Sequence, residues 1–259
     1  MSGRANIRVL GSSAEMGIAA AKQARDLIGD AIGRSERARI LIATGNSQVS
    51  PIDALIECKD IDWDLVEVFH MDEYIGLSRD HPASFRRWVR TRLADRVHPA
   101  RVNYLAGDAA DLDAEIQRYA TLLNAAPIDL AFVGFGENGH IAFNDPPVAD
   151  FQDPATVKRV ALDEACRRQQ AGEGHFPNLD SVPQEALTVT CPGLFRAASW
   201  ICCVPEARKA EAVRNALEGP ISTACPASLV REHPSATVYL DVESAALLNA
   251  QETGGPKRP

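Results

Sequence analysis

The chain has 259 residues, 46% of them apolar, and a formal net charge of −8. That length fits one large α/β domain or two small ones, with enough apolar side chain for a sizeable core. The acidic balance argues against nucleic acid as a partner, because phosphate-backbone binding needs a basic face; a small phosphorylated ligand needs only one or two local cations and stays open.

Residues 12–33 carry apolar positions at helical spacing, namely Met16, Ala20, Ala24, Leu27, Ile28 and Ala31. Ser12 or Ser13 is the expected N-cap and Gly33 the expected stop. Residues 38–43 read as a strand ending in Thr44-Gly45-Asn46-Ser47, with a helix starting near Ser50-Pro51. A strand, a polar Gly-containing turn and a helix start together make an anion site, with free N–H groups and a favourable dipole. An ordinary strand–helix turn has the same pattern. Residues 65–69 form a second strand, followed by His70-Met71-Asp72-Glu73-Tyr74. Two adjacent carboxylates at a strand's carboxyl end are placed for acid–base work, although a solvated acidic turn would look alike. Asp80-His81-Pro82-Ala83-Ser84 leads a helix bearing Phe85, Trp88, Val89 and Leu93, and another helix spans residues 111–124.

The apolar run 128–132 reads as a buried strand, and Val-Gly-Phe-Gly-Glu-Asn-Gly-His-Ile-Ala-Phe-Asn-Asp-Pro follows over residues 133–146. Three glycines (Gly134, Gly136, Gly139) allow a tight loop and close backbone approach to a ligand. Their G-x-G-x-x-G spacing matches the dinucleotide fingerprint, which needs a helix to start inside the motif. Here Asn144-Asp145-Pro146-Pro147 would stop such a helix almost at once. Ligands of open α/β sheets bind outside the carboxyl ends of strands, and at that place the chain sets His140, Asn144 and Asp145.

Residues 147–185, with Asp163 to Gln170 and then Gly172-Glu173-Gly174-His175-Phe176-Pro177, read as a charged loop or lid. Strands are expected at 186–190, 197–204 and 236–240, helices at 206–217 and from 241 to about 249, and a disordered tail at 251–259. The six cysteines show no C-x-x-C pair, which argues against a zinc site, and Cys202-Cys203 read as small buried hydrophobes of a cytosolic protein. No stretch approaches the ~20 apolar residues of a membrane span, and the first six residues lack a signal-peptide core. A cytoplasmic protein without membrane contact is expected. Alternating strands and helices over residues 1–250 predict one doubly wound, Rossmann-like α/β domain with a mostly parallel central sheet.

Several stretches together resemble the glucosamine-6-phosphate deaminase (isomerase) family, which is related to the 6-phosphogluconolactonases. They are Phe69-His70-Met71-Asp72-Glu73-Tyr74 with Asp80-His81-Pro82-x-Ser84, then Gly136-x-x-Gly139-His140-Ile141-Ala142-Phe143-Asn144, and Ala186-Leu187-Thr188-Val189. The resemblance runs from about Ile40 to Asp241. In the lactonases the Gly-His step is typically followed by T-A-S-L-F-P rather than I-A-F-N.

The resemblance implies conversion of a 2-amino-2-deoxyhexose 6-phosphate to a ketose phosphate with release of ammonia, and no redox cofactor. It implies Asp72 as general base between C2 and C1, and His140 as the ring-opening group with Asn138 and Asp145 beside it. Thr44, Gly45, Asn46 and Ser47 match the phosphate loop and Lys209 a phosphate-binding lysine, with Glu73, Gly136 and Gly139 in the binding motifs. Where the family often has Asp two residues before the histidine this chain has Asn138, and Asp145 stands where Glu is frequent. Asn cannot stabilise an imidazolium by charge but can orient the ring, or it can cap the Gly-rich turn through its own backbone. The family's second phosphate-binding cation, an arginine, has no unambiguous match; alignment by length puts Gln170 there, with Arg167 and Arg168 just before it. The basic allosteric segment of some bacterial members is replaced by Pro147-Val148-Ala149-Asp150-Phe151, so no such regulation is expected.

The residue types fit that chemistry. A partly desolvated carboxylate is a competent base for a proton next to a carbonyl or iminium, and a histidine can shuttle a proton between O1 and O5. Two other readings share the fold, a lactonase-type hydrolase and a non-catalytic sugar-phosphate sensor. The sequence Ile141-Ala142-Phe143-Asn144 disfavours the first; retention of Asp72 and His140 disfavours the second. No metal is expected, and a homo-oligomer is left open.

Overall fold

Strands and helices alternate along the chain as β1 (Asn6–Leu10), α1 (Ser13–Ser35), β2 (Ala38–Ile42), α2 (Val49–Ile56), β3 (Val66–His70), β4 (Asp72–Tyr74), α3 (Phe85–Val89), α4 (Asp95–Val97), β5 (Arg101–Asn103), α5 (Leu112–Asn124), β6 (Leu130–Val133), β7 (Val157–Ala161), α6 (Glu164–Gly172), β8 (Glu185–Val189), α7 (Cys191–Phe195), β9 (Ser199–Val204), α8 (Ala210–Glu218) and β10 (Ala236–Asp241). The structure is a computed structural model and describes residues 5–172, 174 and 176–249. The expected tail, 251–259, and Glu173 and His175 lie outside the described residues.

Seven strands form one parallel sheet in the order β1-β10-β9-β6-β2-β3-β5. The chain winds outward from β2 through β3 to β5. It then returns to the other side of β2 with β6 and winds away through β9 and β10. The reversal between β2 and β6 is a topological switch point, where the loops leaving two adjacent strands diverge and open a crevice.

Period-two alternation gives each face of this sheet its own core. Ile40, Ile42, Val68, Leu130, Phe132, Ile201, Cys203 and Tyr239 pack with α1 and α2 on one side. Leu41, Phe69, Ala131, Val133, Trp200, Cys202, Val204 and Val238 pack with α5, α7 and α8 on the other. Helices on both faces make the fold doubly wound and Rossmann-like. Cys202 and Cys203 are fully buried on opposite faces, as free thiols.

Local signals account for the helix starts. Ser12 Oγ accepts from Glu15 N–H at 3.2 Å, and the Glu15 carboxylate reaches back to Gly11 N–H at 3.0 Å. Asp111 caps α5 through Ala114 N–H at 2.9 Å. Gly33, however, does not stop α1: the helix runs on to Ser35, and Glu36 takes the left-handed conformation with φ 58°.

Three expectations need correction. Residues 147–185 are not a featureless loop but contain β7 and α6. The strand at Ala186 lies outside the central sheet; β8 pairs antiparallel with both β4 and β7 in a separate three-stranded sheet. No helix follows β10 among the described residues, where the chain makes turns instead. β7 was illegible because its partner β8 lies over twenty residues away and because Lys158 and Arg159, on successive positions, break any apolar alternation. The small sheet encloses a third core, in which Tyr74 meets Phe85, Phe143 and Phe176 at ring-centre distances of 4.9, 5.2 and 5.3 Å. That aromatic cluster holds α6 beside the crevice.

Candidate active site

The carboxyl ends of β2, β3, β6 and β9 open into one cleft of about 630 Å³ at the switch point. After β2, Thr44 leads into Gly45, whose φ of 95° is open to glycine and strained for other residues. A 3₁₀ turn at Asn46–Gln48 then runs into α2. Thr44, Gly45, Asn46 and Ser47 all line the cleft, as the strand–turn–helix pattern predicts for an anion site. Beyond β9 the turn Ala207–Lys209 brings Lys209, buried at its base, into the same wall.

Asp72 and Glu73 face opposite ways, because successive residues of a strand must. Asp72 lines the cleft at 7% exposure, and its Oδ1 has no hydrogen-bond partner. Burial, and then the neighbouring Glu73 charge, push its pKa well above the ordinary carboxylate range. Glu73 does not line the cleft. It is fully buried and accepts from Ser84 Oγ (2.7 Å), Tyr74 N–H (2.9 Å), Arg86 N–H (3.0 Å), Phe85 N–H (3.1 Å) and Arg86 Nε (3.3 Å). The expected substrate-binding role of Glu73 is therefore corrected: the carboxylate anchors the start of α3.

The Gly-rich loop after β6 closes on itself. Gly136 N–H donates to His140 C=O at 2.9 Å and Gly139 N–H to Gly136 C=O at 3.0 Å, with Gly139 at φ 82°. His140 and Gly136 line the cleft. Behind the ring, Nδ1 lies 2.8 Å from Asn138 Oδ1 and 2.9 Å from Asp145 Oδ1. Asn138 Nδ2 donates to Asp145 Oδ1 at 2.8 Å, and since a carboxylate only accepts, this fixes the amide with its oxygen toward the ring. Two oxygen acceptors facing Nδ1 place a proton there. Asn138 Oδ1 also accepts the His140 N–H at 3.1 Å, so this residue both caps the turn and orients the ring. Burial would raise the Asp145 pKa; hydrogen bonds from His140 and Asn138 outweigh it and hold the carboxyl below the usual range.

A Cβ at Gly136 would lie 2.2 Å from the His140 ring. Gly136→Ala is expected to push the imidazole off Asn138 and Asp145 and cut turnover as severely as loss of His140 itself, with the fold retained. Comparing the turnover and circular dichroism of Gly136→Ala and His140→Ala checks this.

The cleft thus brings together Thr44, Gly45, Asn46, Ser47, Asp72, Gly136, His140 and Lys209. Asn138 and Asp145 stand behind His140 rather than in the wall, and Gly139 packs against Cys225. Arg168 is not among the lining residues; it is largely exposed on α6 and pairs with Glu164. Sequence reasoning passed over Arg208, Glu206 and Gln169, which do line the cleft. Arg208 reaches Glu206 at 2.6 Å and Glu137 at 2.9 Å. Its position beside Lys209 was the available signal. Gln170, named only by alignment length, is buried in the cleft wall, where its Oε1 accepts from Tyr74 O–H at 2.7 Å.

Fold and site together define a Rossmann-like α/β protein whose switch-point crevice pairs a polar, Gly-containing loop at a helix start with a buried carboxylate and an oriented histidine. The family described as glucosamine-6-phosphate isomerases/6-phosphogluconolactonase matches residues 11–239, and the chain belongs to that family. It is 36% identical over 215 residues to a glucosamine-6-phosphate deaminase of Exiguobacterium sibiricum, covering 82% of this chain and 83% of that protein. It is 35% identical to an Arthrobacter glucosamine-6-phosphate deaminase, covering 93% and 91% of the two chains. Among solved structures, a monomeric glucosamine-6-phosphate deaminase superposes with a TM-score of 0.86 at 30% identity, over 94% of this chain and 100% of the other. A 6-phosphogluconolactonase from Shewanella baltica shares the fold at a TM-score of 0.77 and 18% identity, over 93% and 99%. Among the described residues no helix is long and apolar enough to cross a membrane.

Proposed function

We propose that the protein is a glucosamine-6-phosphate deaminase, converting a 2-amino-2-deoxyhexose 6-phosphate to a ketose 6-phosphate and ammonia. The observation that carries this reading is Asp72, a buried carboxylate with an unpartnered oxygen in the same cleft as His140 and the Thr44–Ser47 loop. Thr44, Ser47, the loop N–H groups and Lys209 hold the phosphate, and the binding energy places the sugar. His140 Nε2 moves a proton between O5 and O1 and opens the ring. Asp72 takes the proton from C2 and returns it to C1, which turns the aldose amine into a ketimine. Water adds to C2 and ammonia leaves. These are proton transfers and a hydrolysis without net redox change, so no redox cofactor enters. The work site is a small-molecule cleft, in keeping with a cytoplasmic enzyme.

The test is ammonia release and ketose formation over a panel of hexosamine 6-phosphates, with 6-phosphogluconolactone as the competing substrate. Hydrolysis of the lactone without ammonia release from any hexosamine phosphate overturns the reading. Lys209→Ala is expected to raise KM for the phosphorylated sugar by roughly 10- to 150-fold, the equivalent of a charge-assisted hydrogen bond of about 1.5–3 kcal/mol. Unphosphorylated glucosamine should be a poor ligand of either protein. Equal affinity for glucosamine with and without phosphate, measured by calorimetry, would remove phosphate recognition altogether.

A further inference from the structure

Behind His140 stands a set of polar atoms that ring opening does not fully use. Cys166, on α6, is 1% exposed. Its Sγ, a ring nitrogen of His140 and a carboxylate oxygen of Asp145 all lie within 4.8 Å of one another. Asp145 is fully buried, and while Oδ1 takes hydrogen bonds from Asn138 and His140, Oδ2 has no hydrogen-bond partner. The Cys166 thiol hydrogen-bonds to the Asp145 carboxylate, but a thiol is a weak donor. A carboxylate oxygen with nothing better than a thiol beside it in a dry site is costly, and a cation is its natural partner.

We propose that His140, Asp145 and Cys166 form a three-ligand site for a thiophilic divalent cation, Zn²⁺ above all, and that its occupation stops turnover. Imidazole nitrogen, carboxylate oxygen and thiolate sulfur are the donors zinc takes, and three protein ligands leave a fourth position for water. Mg²⁺ and Ca²⁺ demand oxygen ligands and do not suit this set. Zinc bonds of about 2.0–2.3 Å put tetrahedral ligand atoms roughly 3.3–3.8 Å apart, so side-chain adjustment suffices to close the site. One thiolate and one carboxylate neutralise the ion, which limits the cost of burying it. His140 forms part of the cleft wall, and Asp145 and Cys166 lie buried behind it. A metal-bound imidazole is no longer free to hold its proton on Nδ1 and shuttle another at Nε2. The inhibitory consequence rests on the role proposed for His140; the site itself does not.

The test uses the full chain. Co²⁺ should give a thiolate-to-metal charge-transfer band at one equivalent, displaced by Zn²⁺. Cys166→Ala, and Cys166→Ser as the size-conserving variant, should abolish the band and weaken Zn²⁺ binding by at least about tenfold, the lower bound for disturbing a metal's surroundings. Both variants should keep basal turnover and lose Zn²⁺ sensitivity by the same factor. Cys225→Ala, in the neighbouring wall against Gly139, should keep the band. Absence of a thiolate band in the native protein, or unchanged Zn²⁺ affinity in both Cys166 variants, overturns the site. Stoichiometric binding without inhibition overturns the inhibitory half. The spectroscopic and calorimetric readouts do not depend on deaminase activity, so failure of the functional reading would be seen separately.

Discussion

Asp72→Asn is expected to lower turnover by at least about 100-fold while leaving the fold and sugar-phosphate binding intact, since a general base contributes about 10²- to 10⁴-fold. The variant is nearly isosteric and cannot accept the C2 proton. In the native protein the acidic limb of kcat/KM should lie above the ordinary carboxylate range, near 4, because burial and Glu73 raise the Asp72 pKa. That limb should vanish in whatever activity the variant retains. The same shift has a stability consequence of fixed sign. A carboxyl whose folded pKa lies above its unfolded value binds protons more tightly when folded, so it costs stability as pH rises from about 4 through the folded value. Asp72→Asn should therefore raise Tm at neutral pH, by about 2–4 °C for each kcal/mol relieved in a domain of this size. Near-native turnover would remove Asp72 from the base's position, and a lowered Tm would overturn the raised pKa.

The largest effect on folding is expected from its neighbour. Glu73→Ala deletes the acceptor of three backbone N–H groups, the Ser84 hydroxyl and the Arg86 Nε, all buried. Removing one partner of a buried ion pair costs about 3–5 kcal/mol, and the donors left without a partner add to it. Arg86 keeps Asp108 at 2.7 Å, which moderates the loss. Urea unfolding should place the midpoint of Glu73→Ala well below that of Asp72→Asn. Similar midpoints would mean that Glu73 does not anchor α3. Adjacent residues of one acidic pair thus divide, one answering in turnover and the other in stability.

The polar loop after β2 was legible because its signal is local. A strand, Thr44-Gly45-Asn46-Ser47 and a helix start are contiguous, and each predicts the geometry of the next. The Gly-rich loop was legible for the same reason, as was the lack of a helix start inside it: Pro146-Pro147 stops such a helix, and the structure has none there. The assignment of α6 to a lid was right only about its neighbourhood. Its hydropathy is low because just Cys166 and Gln170 are buried in it, so no amphipathic stripe marked it as a helix, and nothing local could show that Gln169 and Gln170 reach the cleft.

By itself the sequence determined the alternation of strands and helices, the two-faced central core and the places where chain reversals carry glycine and polar groups. These follow from residue periodicity and from backbone conformations open mainly to glycine, which are short-range properties. Tertiary structure decided which member of Asp72-Glu73 faces the cleft, because β4's pairing with β8 sets the orientation of the strand. It decided that Arg168 stands outside the cleft while Arg208 lies within it, since the turn after β9 and the face of α6 depend on packing between distant elements. It also brought Cys166 to His140 and Asp145. The aromatic cluster of Tyr74, Phe85, Phe143 and Phe176 holds α6 there, through contacts between residues too far apart in the chain for any spacing rule to register.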